Sequence, residues 1–232
     1  ETVDADGCHG GSVVTWGWYE SGSSSHISSA GLDLSSGVIE IFQAGNGWAA
    51  LKSDGTVVTW GSNGYGGNSS SVSSDLSSGV IEVFSSSGAA AALKSDGSVI
   101  TWGNEAYGGN SSSVSSALSS DVIKIYSTDE AFAALKSDGS VVTWGSWGGD
   151  SSSVSSELNS DVISIYSTPY AFAALKSDGS VVTWGGPPNG GDSSSVSSDL
   201  TSGVTEIFST GSAFAALKSD GSVVTWGDSN VG

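Results

Sequence analysis

Ala133-Ala134-Leu135-Lys136-Ser137-Asp138-Gly139-Ser140-Val141-Val142-Thr143-Trp144-Gly145 is the stretch whose reading decides the fold. It reads as strand, turn, strand. Asp-Gly tolerates the positive φ that tight hairpin turns require. The Val-Val-Thr-Trp run is β-branched and aromatic, which is strand composition. Val141 and Val142 are both apolar although they point to opposite faces, as do Phe132 and Ala133. A strand apolar on both faces is buried on both sides.

Working outward, Val122-Ile123-Lys124-Ile125-Tyr126 precedes this hairpin, and Ser111 to Ser116 is a polar, extended run before that. The whole pattern recurs. Trp16, Trp60, Trp102, Trp144, Trp184 and Trp226 each close a Val-Val-Thr-Trp-Gly run or a close variant, at spacings of 44, 42, 42, 40 and 42. No run carries a helical i, i+3, i+4 stripe. Four short antiparallel strands in a period of 40 to 45 residues is a propeller-blade pattern. The expectation is therefore an all-β chain, a β-propeller of five to six four-stranded antiparallel blades of about 42 residues each. Residues 1–232 read as a single repeat domain with units 18–60, 61–102, 103–144, 145–184 and 185–226, and with 1–17 as a partial N-terminal hairpin. Two closures stay open. Either five blades close and the hairpin is an appendage, or there are six positions and one blade is incomplete, with edges able to pair with another chain.

The charge is lopsided: six Lys, no Arg, and 24 Asp plus Glu give a formal net charge of -18. Such a surface repels phosphate backbones and anionic lipid, so no nucleic-acid partner and no membrane span are expected. A charge-steered partner should be cationic. Cys8 is the single cysteine, so no disulfide forms within the chain. The chain opens at Glu1 without a signal-peptide pattern, as a processed mature protein or a piece of a longer one would. The Ser and Gly richness, the absent Arg and the single Cys point to an extracellular, cell-surface or organelle-lumen setting. Asn68 and Asn110 stand in N-glycosylation sequons, although Asp150 and Asp192 occupy the same place in later units.

No catalytic constellation is legible. His9 and His26 lie outside the repeat core and in no metal-ligand spacing. Asp4-Ala5-Asp6-Gly7 opens like a calcium loop, but Thr15 stands where its bidentate Glu belongs. The recurring Asp-Gly is turn chemistry rather than a metal site. No Gly-x-Ser-x-Gly elbow or phosphate loop occurs. The chain is expected not to be an enzyme and to take no cofactor and no metal.

The unit Ala-Leu-Lys-Ser-Asp-Gly-Ser-Val-Val-Thr-Trp-Gly resembles the repeat of the regulator of chromosome condensation family. The pattern is similar still more to the short-repeat β-lactamase inhibitory protein II family. The matching elements are Ala216-Leu217-Lys218, Val223 to Gly227, the Ser36-Gly37-Val38 step and the opening at Val13 to Gly17. The resemblance covers nearly the whole chain and implies a propeller. In the inhibitor family, loop aromatics on one face grip the target, which implies the same face here. The departures are specific. Gly66-Gly67-Asn68-Ser69 replaces the Gly-Gln-Leu-Gly of the chromosome-associated members, and Ser87-Gly88-Ala89-Ala90 lacks their His. A nucleotide-exchange or chromatin role therefore has no residue-level support.

The copies differ most at two tips. With the strands of a unit named a, b, c and d, and the Trp strand as c, the a–b and c–d tips fall on one expected face. The b–c turns are nearly invariant Ser-Asp-Gly. The variable tips carry Trp18, Tyr19, Tyr65, Tyr107, Trp147 and Tyr170, with Asp129 and Glu130. Aromatics are enriched where proteins bind one another. The leading expectation is a non-catalytic propeller that is a scaffold or protein-interaction module, or that self-associates into a larger assembly. Two alternatives are a lectin-like propeller with a glycan ligand, and a glycosylated structural segment of a longer repeat array. A lectin should repeat its site in every unit, and these tips do not repeat.

Overall fold

The computed structural model describes residues 11–14 and 34–229. Trp18 and Tyr19, together with Cys8, His9 and His26, lie outside the described residues. The chain divides into two compact units, Glu1–Ser112 and Ser113–Gly232.

Among the described residues the first unit holds two sheets. One is β1 (Val38–Ala44), β2 (Gly47–Lys52) and β3 (Val57–Gly61); the other is β4 (Val80–Ser85), β5 (Ala89–Lys94) and β6 (Val99–Gly103). The second unit holds three: β7 (Val122–Ser127), β8 (Ala131–Lys136) and β9 (Val141–Gly145); β10 (Val162–Ser167), β11 (Ala171–Lys176) and β12 (Val181–Gly185); β13 (Val204–Ser209), β14 (Ala213–Lys218) and β15 (Val223–Gly227). All five are antiparallel in sequence order.

Each sheet has three strands where four were expected. The serine-rich run expected as the fourth, edge strand is a tight turn instead, with 3-10 segments at Ser70–Val72, Ser112–Val114, Ser152–Val154 and Ser194–Leu200. The cause is local hydrogen bonding. The Oδ1 of Asn68, Asn110, Asp150 and Asp192 accepts the backbone N–H two residues on, at 2.9 to 3.0 Å. Ser73 and Ser77 hydroxyls donate back to the carbonyls of Ser70 and Ser74. Such bonds offer the backbone a partner that competes with a sheet ladder. Each turn still covers its third strand: Val57 N–H donates to Leu76 O and Val141 N–H to Leu158 O. Thr59 and Ser69, Thr101 and Ser111, Thr143 and Ser151, and Thr183 and Ser193 pair through their hydroxyls at 2.9 Å.

The middle strands are buried on both faces, as expected: Ala131, Phe132, Ala133 and Ala134 have no exposed surface. Alanine lets neighbouring sheets approach closely, and one core cluster joins Ala133 and Leu135 to Phe172, Ala174 and Trp184. The first strand of each sheet carries a bulge after its leading Val, as between Val122 and Lys124. The bulged residue leaves the ladder, and Ile123 and Ile163 are accordingly exposed.

The Ser-Asp-Gly hairpins are turn chemistry. Asp138 Oδ1 accepts from the Ser140 backbone N–H at 2.9 Å and from its hydroxyl at 2.6 Å. Gly139 has φ +78°, and a Cβ there would meet Asp161 N at 2.7 Å.

Candidate aromatic tip site

Within each sheet the a–b tip is bonded to the start of its own c–d link. Asn104 N–H donates to Gly88 O, Ser146 N–H to Glu130 O, and Gly186 N–H to Tyr170 O. Those bonds exist because the second and third strands pair to their ends, Ala131 opposite Gly145 and Ala171 opposite Gly185. Both variable tips therefore lie at the same end of each sheet.

The tips are built by a hydroxyl that the sequence shows in four of five units. Thr168 Oγ1 accepts from Ala171 N–H at 3.1 Å and donates to Asn189 O at 2.9 Å. Ser86 accepts from Ala89 N–H and donates to Tyr107 O at 2.7 Å. A buried hydroxyl that both donates and accepts ties the tip of one strand pair to the link that follows. These positioning residues were absent from the sequence expectation, although the Ser86, Thr128, Thr168, Thr210 series was there to be read.

Two aromatic pairs result. In the first unit the Tyr65 and Tyr107 rings are 6.3 Å apart and tilted by 46°. Gly88 lies between them, since a Cβ there would meet Tyr107 at 2.7 Å and Tyr65 at 3.1 Å. In the second unit Trp147 meets Tyr170 edge-on, 6.3 Å between centroids at 71°. Edge-to-face contact is a favoured aromatic geometry. Trp147 is nevertheless 62 % exposed.

Asp129 and Glu130 belong to the same cluster. Asp129 N–H donates to Pro169 O at 2.8 Å, which sets its tip against the Tyr170 tip. Both are half-buried. Trp147, Tyr170, Asp129 and Glu130 thus converge on one end of the second unit: an exposed indole, a phenol and two carboxylates. Asn68 and Asn110 are exposed at the starts of the serine turns, three residues after Tyr65 and Tyr107.

Cationic side chains are largely committed elsewhere. Lys94, Lys136, Lys176 and Lys218 each donate through Nζ to a main-chain carbonyl of the preceding serine turn, at 2.6 to 3.0 Å. Lys124 sits 5.3 Å from the Tyr126 ring centre. Among the described residues no group of three or more His, Cys, Asp or Glu side chains gathers as a metal site, and no helix is long and apolar enough to cross a membrane.

The fold among the described residues is an all-β array of three-stranded antiparallel sheets. The chain is similar to a chain of the yeast RCC1 (Prp20) structure with Kap60, at TM-score 0.51 and 16% identity, over 82% of this chain and 56% of that one. It is similar to the Physcomitrella patens receptor kinase CR4 ectodomain, at TM-score 0.50 and 17% identity, over 81% of this chain and 51% of that one. The chain therefore spans about half the length of these structures. No family model matches the sequence, and no curated relative does.

Proposed function

We propose that the chain is a non-catalytic interaction scaffold, whose sheets are blades of a β-propeller-type array over residues 1–232 and whose variable tips bind a partner protein. The observation that carries this reading is the convergence of Trp147, Tyr170, Asp129 and Glu130 on one end of invariant scaffolding. An exposed indole beside carboxylates is suited to a basic segment, through cation–π contact and charge. A chain of net charge -18 steers the same class of ligand. Tyr65 and Tyr107 form a second, smaller aromatic contact of the same construction. The exposed sequons at Asn68 and Asn110 support an extracellular, surface or lumenal setting.

The test is selection of Lys- and Arg-rich peptides from a display library against the full chain, with the Trp147→Ala chain as counter-screen. Selected peptides should bind the variant at least tenfold more weakly, and binding should fall with salt. Peptides that bind both chains equally would remove the tips from the site. Binding confined to a glycan array would favour the lectin reading.

A further inference from the structure

The chain carries three Asn-Gly steps: Asn46-Gly47, Asn63-Gly64 and Asn189-Gly190. Such a step is open to one intramolecular reaction, because Gly has no Cβ to screen its main-chain nitrogen. That nitrogen attacks the side-chain amide carbon, Cγ, of the Asn before it. The reaction depends on proximity, so the backbone must be free to bring N and Cγ together. The three steps differ in that freedom.

Asn189 is held at every point. Its N–H donates to Gly186 O at 3.0 Å, and its carbonyl accepts from Thr168 Oγ1 at 2.9 Å. Its Nδ2 donates to Ser212 Oγ at 3.4 Å, and Gly190 N–H donates to Pro187 O at 3.3 Å. Gly190 is buried against Phe214, whose Cδ2 a Cβ there would meet at 2.5 Å. Asn46 is held by its hairpin. It is the second residue of a two-residue turn, in which Ala44 pairs with Gly47. Its carbonyl accepts the Ser62 N–H at 3.0 Å. Gly47 is buried, and a Cβ there would meet the carbonyl carbon of Gly66 at 2.6 Å.

Asn63 and Gly64 are both exposed, in the middle of the turn from Ser62 to Tyr65. Among the described residues neither makes a hydrogen bond. Nothing lies within 4 Å of where a Gly64 Cβ would stand. One bond closes the turn, from Tyr65 N–H to Ser62 O, at 3.3 Å. That is longer than most N–H to oxygen bonds. The equivalent links hold Glu105-Ala106, Ser146-Trp147 and Pro187-Pro188 instead.

We propose that Asn63 is a site of self-modification in the folded protein. The Gly64 nitrogen bonds to Asn63 Cγ, the Cγ–Nδ2 bond breaks, and Nδ2 leaves as ammonia with the Gly64 proton. Water then opens the resulting cyclic imide. Attack at Cγ gives aspartate. Attack at the main-chain carbonyl carbon gives isoaspartate, with the chain running through Cβ. Nothing is oxidised or reduced, and water is the sole co-reactant. Either product adds a negative charge two residues before Tyr65. Isoaspartate also adds a carbon to the main chain of the turn that precedes the Tyr65–Tyr107 contact. The inference is independent of the partner proposed for the tips.

The experiment is peptide mapping by mass spectrometry. The full chain is held folded in heavy-oxygen water at neutral pH, below its thermal transition, beside a sample in guanidinium chloride. In the folded chain Asn63 should convert at least tenfold faster than Asn46 and Asn189, with a heavy oxygen in each product. In denaturant the three steps should convert at similar rates, since only structure separates them. Gly64→Val places its side chain in open space and screens the nitrogen. It should slow conversion at Asn63 at least tenfold with an unchanged thermal transition. Three results would each overturn the proposal: Asn46 or Asn189 converting as fast as Asn63 in the folded chain, Asn63 staying intact while the denatured chain converts, or an unchanged rate in Gly64→Val.

Discussion

The indole Nε1 of Trp184 donates to the carbonyl oxygen of Gly148, 3.0 Å away and one sheet earlier. Trp226 makes the same bond to Gly190 at 3.0 Å, and Trp102 to Gly66 at 2.8 Å. Phe172 stacks on the Trp184 ring with 5.2 Å between centroids. The repeated tryptophan thus fills the core and pins its strand to the link of the preceding repeat. Trp184→Phe keeps most of the packing and leaves Gly148 O without its donor, which should cost about 1–3 kcal/mol. Trp184→Ala also opens a cavity and should cost about 3–5 kcal/mol. Urea denaturation followed by near-UV circular dichroism measures both.

The threonine of the third strand should matter only where a serine turn covers it. Thr183 bonds Ser193 at 2.9 Å, so Thr183→Val should lose about 0.5–1.5 kcal/mol. Thr225 occupies the same register opposite Ala215 and is exposed. Thr225→Val should change stability by less than about 0.5 kcal/mol, as surface substitutions do. Thermal melts of the two variants side by side provide the comparison.

One link position separates the repeats by backbone strain. Gly203 holds φ +80°, while Asp121 and Asp161 hold φ +66° at the equivalent place. Ser160 Oγ donates to the Asp161 carboxylate at 2.6 Å, and Asp tolerates this region better than most residues. Gly203→Ala should therefore cost about 1–2 kcal/mol. Asp161→Gly should cost far less or stabilise. A gain for Gly203→Ala, or equal losses for the two variants, in chemical denaturation would contradict the assignment.

Acid should loosen the hairpins. The Ser140 hydroxyl, then its backbone N–H, holds the Asp138 carboxyl below the usual 3.8, and Asp96, Asp178 and Asp220 are held the same way. A carboxyl whose folded pKa is depressed stabilises the fold above its unfolded pKa. That contribution is lost as pH falls through the folded pKa. Asn in place of Asp keeps the acceptor oxygen and loses the charge. The fourfold Asp→Asn chain should show a flatter fall in melting temperature below roughly pH 4 than the parent.

Sequence periodicity alone determined the strand pairs. Val141 to Gly145 had to pair with Ala131 to Lys136, because Asp138-Gly139 admits one short hairpin and alternation then sets every partner. It also showed the tips, since Trp147 and Tyr170 stand where the otherwise repeated units differ. The serine turns were misread as strands because extended backbone and a curled turn share the composition Asn-Ser-Ser-Ser-Val-Ser-Ser. Only the bond from Asn68 Oδ1 to Ser70 N–H distinguishes them, and side-chain capping has no period of two. Residues 141–145, 181–185 and 223–227 are identical, so no reading of the chain could separate them. Tertiary structure alone buries Val182 and leaves Val142 half-buried, because exposure depends on what packs against a strand and not on its own residues.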